Sequence, residues 1–148
     1  MTPTELVEAF YAAGTSGDVE KLAGFFAENA VWDNRLDDVP MGGVYEGRDA
    51  IREGLMTPLF QFLPNGISTE IERIIEADGT VVCLNTGRGT TADGGALEKR
   101  YAHLFDVVDG QFVRPAAAPA YADDGFGGEV GVVYVVRDRP AAPGPSSN

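Results

Sequence analysis

The residues of this chain best suited to chemistry fall in three short segments. His103 lies in Tyr101-Ala102-His103-Leu104-Phe105, where strand alternation puts Tyr101, His103 and Phe105 on one face. An imidazole between two aromatics suits a pocket wall, and histidine exchanges a proton near neutral pH after a small environmental shift. The plainer alternative is a core histidine held by a hydrogen bond. In Trp32-Asp33-Asn34 the same alternation puts Trp32 and Asn34 together and Asp33 opposite. An aspartate facing an apolar cavity has its pKa raised by desolvation, which suits proton abstraction beside a carbonyl. Otherwise Trp32 is core packing and Asp33 a solvated turn residue. Parity on the third segment groups Val82, Leu84, Thr86 and Arg88. Arg88 is able to bind a carboxylate or stabilise an enolate, or simply to sit on the surface near a strand end.

Metal and nucleotide chemistry find less support. One histidine and one cysteine exclude an intrachain disulfide, Cys₂ and Cys₄ zinc sites and two-histidine metal motifs. Cys83 lies in an apolar run and reads as a small buried hydrophobe. Asp33, Asp37 and Asp38 form an acidic loop of the kind that is usually solvated rather than metal-bound. Gly87-Arg88-Gly89 and Gly125 to Gly128 do not join a strand to a helix, so no nucleotide-binding loop is expected. The expected site therefore has no metal and no organic cofactor.

The elements that must position these residues read clearly in the first two thirds of the chain. Thr2, Pro3 and Glu5 form a capping box that starts a helix carrying Leu6, Val7, Phe10 and Tyr11 and ending at Gly14. A second helix is expected from about Asp18 to Ala27, then a short strand at Ala30-Val31-Trp32. A third helix starts near Gly47 with Ile51 and Leu55 inward, and Pro58 is expected to interrupt it. Leu59 to Leu63 continue as an apolar segment until Pro64-Asn65-Gly66. Asp78-Gly79, Asp93-Gly94 and Asp109-Gly110 then recur 15 and 16 residues apart. Asp-Gly favours hairpin turns, so the runs Ile67–Glu76, Thr80–Thr91 and Leu97–Val108 predict an antiparallel meander of long strands. Helices followed by such a sheet give an α+β fold with helices on one face. The Pro-Ala stretch after Arg114 suits no central strand. Val130 to Val136 reads as one more strand, and residues 137–148, rich in Pro, Ala, Gly and Ser, as a disordered tail.

With 148 residues the chain has room for one domain, here residues 1–136, and it is long enough to bury a core without covalent staples. Eleven Lys and Arg against 23 Asp and Glu give a net charge of −12, which repels phosphate backbones and anionic membranes. No nucleic-acid or membrane partner is expected. The N-terminus lacks the pattern of a signal peptide and no run approaches a membrane span, so a cytoplasmic location is the default expectation.

Several motifs, in order, carry a family resemblance: Phe10-Tyr11-Ala12-Ala13-Gly14, Gly17 to Leu22, Phe25 to Trp32, Tyr45 to Ile51 and Tyr101 to Phe105 with Asp109-Gly110. Over residues 3–114 the chain resembles the SnoaL-like branch of the nuclear transport factor 2-like superfamily, while residues 115–136 depart from its pattern. The resemblance implies a cone, a curved antiparallel sheet wrapped round helices with a deep apolar pocket, commonly in homodimers. Relatives include ketosteroid isomerases, limonene-epoxide-hydrolase-like enzymes, polyketide cyclases and non-catalytic binding domains, so fold alone does not settle function.

Carried over by position, a cyclase histidine matches His103. An epoxide-hydrolase asparagine that holds water matches Asn34, while an isomerase base aspartate matches Asp33, one residue away. The face bearing Arg88 matches the pocket side of epoxide-hydrolase-like relatives. A second carboxylate expected after the last Asp-Gly turn is replaced by Ala117, which departs from both the hydrolase and the cyclase pattern. The isomerase tyrosine of the first helix matches Phe10, with Tyr11 adjacent. Trp32, Tyr101 and Phe105 are the expected grip on the substrate, with Phe10, Leu84, Leu55 and Leu59 completing the apolar wall. The resulting expectation is cofactor-independent proton transfer, of isomerase or cyclase type, on a small hydrophobic ketone-, polyketide- or epoxide-like molecule. His103, Asp33, Asn34 and Arg88 are its candidate catalytic residues, and a non-catalytic binding or dimerisation domain is the alternative.

Overall fold

A computed structural model describes residues 1–34 and 42–119; the strand expected at Val130 to Val136, the tail 137–148, and Asp37 and Asp38 lie outside them. Helix α1 (Pro3–Gly14) starts as its capping box predicts: Glu5 N donates to Thr2 Oγ1 at 3.1 Å and Thr2 N to Glu5 Oε1 at 2.8 Å. Its buried face carries Leu6, Val7, Phe10 and Tyr11.

Helix α2 (Val19–Ala23) is capped by Asp18 and stops short of the expected Ala27. The backbone beyond it is diverted into the sheet, with Ala27 N donating to Phe112 O and Phe112 N to Phe25 O, both at 2.9 Å.

After strands β1 (Val31–Asn34) and β2 (Gly43–Glu46), the chain enters helix α3 (Arg48–Ala50), a π-helical segment (Ile51–Met56) and helix α4 (Thr57–Phe62) without a break. The expected interruption at Pro58 does not occur. The wider turn lets Thr57 N reach Arg52 O, with Thr57 Oγ1 on the same carbonyl at 2.9 Å, and Pro58 falls in the first turn of α4, where no N–H is needed. This bulge turns Leu55 and Met56 inward, both 3% exposed.

Gly66 hands α4 on to the sheet at φ +86°, and a Cβ there would lie 2.5 Å from Thr15 O and 2.8 Å from Gly14 O. Both backbone strain and collision oppose any side chain. Gly66→Ala is expected to lower the unfolding free energy by about 2–3 kcal/mol in urea denaturation. An unchanged midpoint would show that the α1–α4 junction is not tight.

Strands β3 (Ser68–Ala77), β4 (Thr80–Thr90) and β5 (Ala96–Val108) form the expected meander, followed by β6 (Gln111–Phe112) and β7 (Ala116–Pro119). Asp78 and Asp109 take positive φ with their glycines, as two-residue turns require. Asp93-Gly94 instead sits in a longer loop, where the Asp93 carboxylate accepts from the Thr91 hydroxyl and from Gly95 N.

The strand order is β2-β1-β7-β5-β4-β3, antiparallel except for the β1–β7 pair. Contrary to expectation, the Pro-Ala stretch provides a central strand. Pro115 lies just before the strand and Pro119 ends it, in register with Tyr101, and Pro115 contributes its carbonyl, accepting from Asp33 N at 3.1 Å. The result is an α+β cone whose core is aromatic: Phe26, Phe105 and Phe112 are fully buried with Phe10 and Trp32 packed against them. Among the described residues no helix is long and apolar enough to cross a membrane.

Candidate functional site

Sheet register assembles the site. Asn34, Ala117, His103 and Cys83 line up across β1, β7, β5 and β4, and Tyr101 stands opposite Asn85 in the next row. Helix α1 lays Phe10 and Tyr11 over this face, and the bulged helix adds Leu55, Met56 and Leu59. Together these residues line a cavity of about 100 Å³ whose wall also includes Trp32 and Thr69. None of the described wall residues is Asp, Glu, Lys or Arg.

The polar centre is a neutral triad. Tyr11 Oη lies 2.7 Å from His103 Nδ1, and Asn85 Nδ2 lies 3.0 Å from the same nitrogen. Asn85 Nδ2 also reaches the Cys83 carbonyl at 3.4 Å, a contact only a donor makes, which orients the amide. Asn85 Nδ2 also reaches Tyr11 Oη at 3.3 Å, and we assign the imidazole proton to Nε2, the tautomer that lets Nδ1 accept from this donor cluster. Among the described residues Nε2 makes no hydrogen bond, and His103 keeps partial exposure on the cavity wall. Burial pushes its pKa down to about 4, so the ring is neutral at physiological pH. Tyr101 stacks on it with centroids 5.5 Å apart and planes at 12°. Burial lifts the Tyr101 phenol to about 12 and raises Tyr11 and Cys83 as well.

The expected residues divide as follows. His103, Asn34, Trp32, Tyr101, Phe10, Leu55 and Leu59 line the cavity. Asp33 does not: β1 pairs regularly with β2, so the strand has no bulge and alternation leaves Asp33 on the other face from Trp32 and Asn34. Phe105 lies beneath His103, fully buried, and forms the floor of the core rather than the wall.

Arg88 and Leu84 are on the opposite face from the one expected. The pairing of Cys83 with His103 and Asn85 with Tyr101 turns Val81, Cys83, Asn85 and Gly87 inward. Arg88 is exposed and pairs with Glu70 at 2.8 Å and Glu98 at 2.6 Å on the outer surface. Ala117, where the resemblance leads one to expect a carboxylate, does reach the cavity, as an alanine level with His103. Asn85 was missed because the parity of β4 was read the other way, and Tyr11 stood beside the position matched. Among the described residues no three potential ligands gather to hold a metal ion.

A small α+β cone with an apolar cavity at the helix–sheet junction is the class that fold and site define. The family model for the SnoaL-like domain matches residues 7–114, and the chain belongs to that family. The cone is shared with solved structures of low identity. TerC, co-crystallised with polyporic acid, is 22% identical with TM-score 0.65, the match covering 79% of this chain and 90% of that one. A hypothetical protein with a ketosteroid isomerase-like fold from Catenulispora acidiphila, in complex with trimethylamine, is 19% identical with TM-score 0.66, covering 80% and 86%. An NTF2-like protein from Burkholderia thailandensis is 24% identical with TM-score 0.66, covering 80% and 90%. Comparison with curated proteins returns no match.

Proposed function

We propose that the cavity is a binding site for a small, uncharged, mainly apolar molecule. The observation that carries this reading is a wall with no charged side chain among the described residues, around a neutral histidine whose Nδ1 is already engaged by Tyr11 and Asn85. A base facing the cavity is what proton abstraction needs, and this tautomer turns an N–H toward it instead. Bound ligands in two structures of the same fold, polyporic acid and trimethylamine, agree with a small-molecule role.

Proton transfer of isomerase or cyclase type is the second reading. It is favoured by the position of His103 on the wall, where its N–H is placed to polarise a carbonyl as a neutral imidazole does elsewhere. A cytoplasmic homodimer belongs to the same proposal through the family resemblance, and light scattering on the purified protein tests the dimer.

The scale of binding follows from the cavity. At about 100 Å³ the cavity is of the same order as the engineered apolar cavity of about 150 Å³ that holds benzene, so one small ring, or a ring-sized part of a larger ligand, is the scale proposed here. At about 0.8 kcal/mol per buried carbon, a compound such as toluene gains roughly 5 kcal/mol, giving a Kd on the order of 0.1–1 mM. Trp32 is the sole tryptophan and lines the cavity, so its emission reports occupancy. Toluene is expected to shift that emission saturably, with no chemical change in the ligand. Emission indifferent to toluene up to its solubility limit would overturn the reading.

A further inference from the structure

The cavity holds one polar feature that the neutral triad does not absorb. The Tyr101 hydroxyl makes no hydrogen bond among the described residues, yet it is not sealed within the protein as Trp32 Nε1 and Asn85 Oδ1 are. It stands two residues from His103 on the same face of β5, in a continuous ladder, with its ring parallel to the imidazole. His103 Nε2 is likewise without a partner among the described residues, and the tautomer set by Asn85 gives it a proton. Two neighbouring residues of the cavity wall therefore each carry a donor that lacks an acceptor among the described residues.

We propose that Tyr101 and His103 form a two-donor subsite that selects ligands carrying an uncharged carbonyl-type oxygen, with Tyr101 as the specificity-determining residue. This rests on the binding reading above and names its ligand class. A carbonyl oxygen has two lone pairs and brings no charge into a wall that has none to offset it. A carboxylate or an ammonium group would be desolvated without an opposite charge, and an ammonium group has no acceptor to offer either donor. A hydrocarbon fills the same space but leaves both donors unpaired once water is displaced, and this cost separates the two classes.

The test uses four probes of one size: toluene, benzaldehyde, benzoate and benzylammonium. Binding is followed by the NMR shift of the Trp32 indole N–H in the wild-type protein and in Tyr101→Phe, which keeps the ring that stacks on His103. Benzaldehyde is expected to bind 5- to 10-fold more tightly than toluene, the scale of one or two net hydrogen bonds. Neither charged probe is expected to saturate over the same range. In Tyr101→Phe the benzaldehyde advantage over toluene should fall at least threefold, because benzaldehyde loses a donor and toluene no longer strands one.

Equal wild-type affinities for toluene and benzaldehyde would overturn the subsite and leave the apolar pocket intact. So would an advantage that survives Tyr101→Phe, or tighter binding of benzoate. Failure of toluene to bind at all would overturn the pocket reading and the subsite with it. The wild-type ratio decides the matter even if the variant does not fold.

Discussion

Phe105→Ala is expected to lower the unfolding free energy by about 3–5 kcal/mol, the range for removing a fully buried phenylalanine side chain. Phe105 has no exposed surface, and its ring lies 4.5 Å from that of Phe112, 5.8 Å from Phe10 and 5.7 Å from His103. It stands on β5, which pairs with β4, β6 and β7, so the strands have little room to close over a void. The lost contacts are edge-to-face and offset ring contacts, each adding to the area term. Urea denaturation with an unchanged slope measures the loss. A domain of this size has about 5–15 kcal/mol to lose, and Phe105→Leu, which keeps most of the volume, should cost much less. A loss under 1 kcal/mol for the alanine variant would mean that the aromatic floor does not hold the cone together.

That floor was visible in the sequence as a set of aromatics at helix and strand spacing, and so was most of the scaffold. The Thr2–Glu5 capping box and the Asp78-Gly79 and Asp109-Gly110 turns are local devices, and each behaves as its chemistry dictates. The failures have a common cause in context beyond the local sequence. Pro58 was read by its local rule, but a π-helical turn just before it removes the need for its N–H. Pro115 and Pro119 are two signals against a central strand, yet one lies just before β7 and the other ends it. Helix α2 ends early because Phe112, far along the chain, claims the backbone next to it.

The site was legible on the strands with one clear apolar face and illegible on β4. Alternation on β5 grouped Tyr101 with His103, and on β1 it grouped Trp32 with Asn34; both pairs line the cavity. On β4 the two faces compete: Val81, Cys83 and Asn85 on one, Val82 and Leu84 on the other. Both sets are apolar enough to be core, and Val82 and Leu84 are indeed half-buried on the outer face. Only the pairing register distinguishes them, which is why the sequence groups Arg88 with the wrong face while its surface reading agrees with the structure, and why it gives no sign of Asn85. Tyr11 acquires its role only from a strand 92 residues away. The alanine at 117 was read as a departure from the family pattern, and its position level with His103 makes that departure a property of the cavity itself.

A cavity wall without carboxylates among the described residues sets the second large effect, a dependence of stability on pH that His103 should generate. In the unfolded chain a histidine titrates near its ordinary 6.5, whereas in the fold burial holds His103 down to about 4. Between those values the unfolded state binds a proton that the folded state refuses, so stability falls as pH drops from 6.5 toward 4 and is fully present above 6.5. Below about 4 both states are protonated and the loss levels off. The side chains around the ring do not relieve it: Tyr11, Tyr101 and Cys83 all have raised pKa values and stay neutral across this window. The total is about 3–4 kcal/mol. Acidic residues elsewhere titrate in the same range, so the effect is read as a difference between the wild-type protein and His103→Gln, which leaves those carboxylates in place. That difference should change by up to about 1.4 kcal/mol per pH unit between pH 6 and 4.5 and be flat from pH 7 to 9. A flat difference throughout, or an imidazole titration near 6.5 in the folded protein, would show that the ring is hydrated and the cavity open to water. In the expected case affinity for an uncharged ligand is constant from pH 5 to 9, because neither His103 nor Tyr101 changes protonation over that interval.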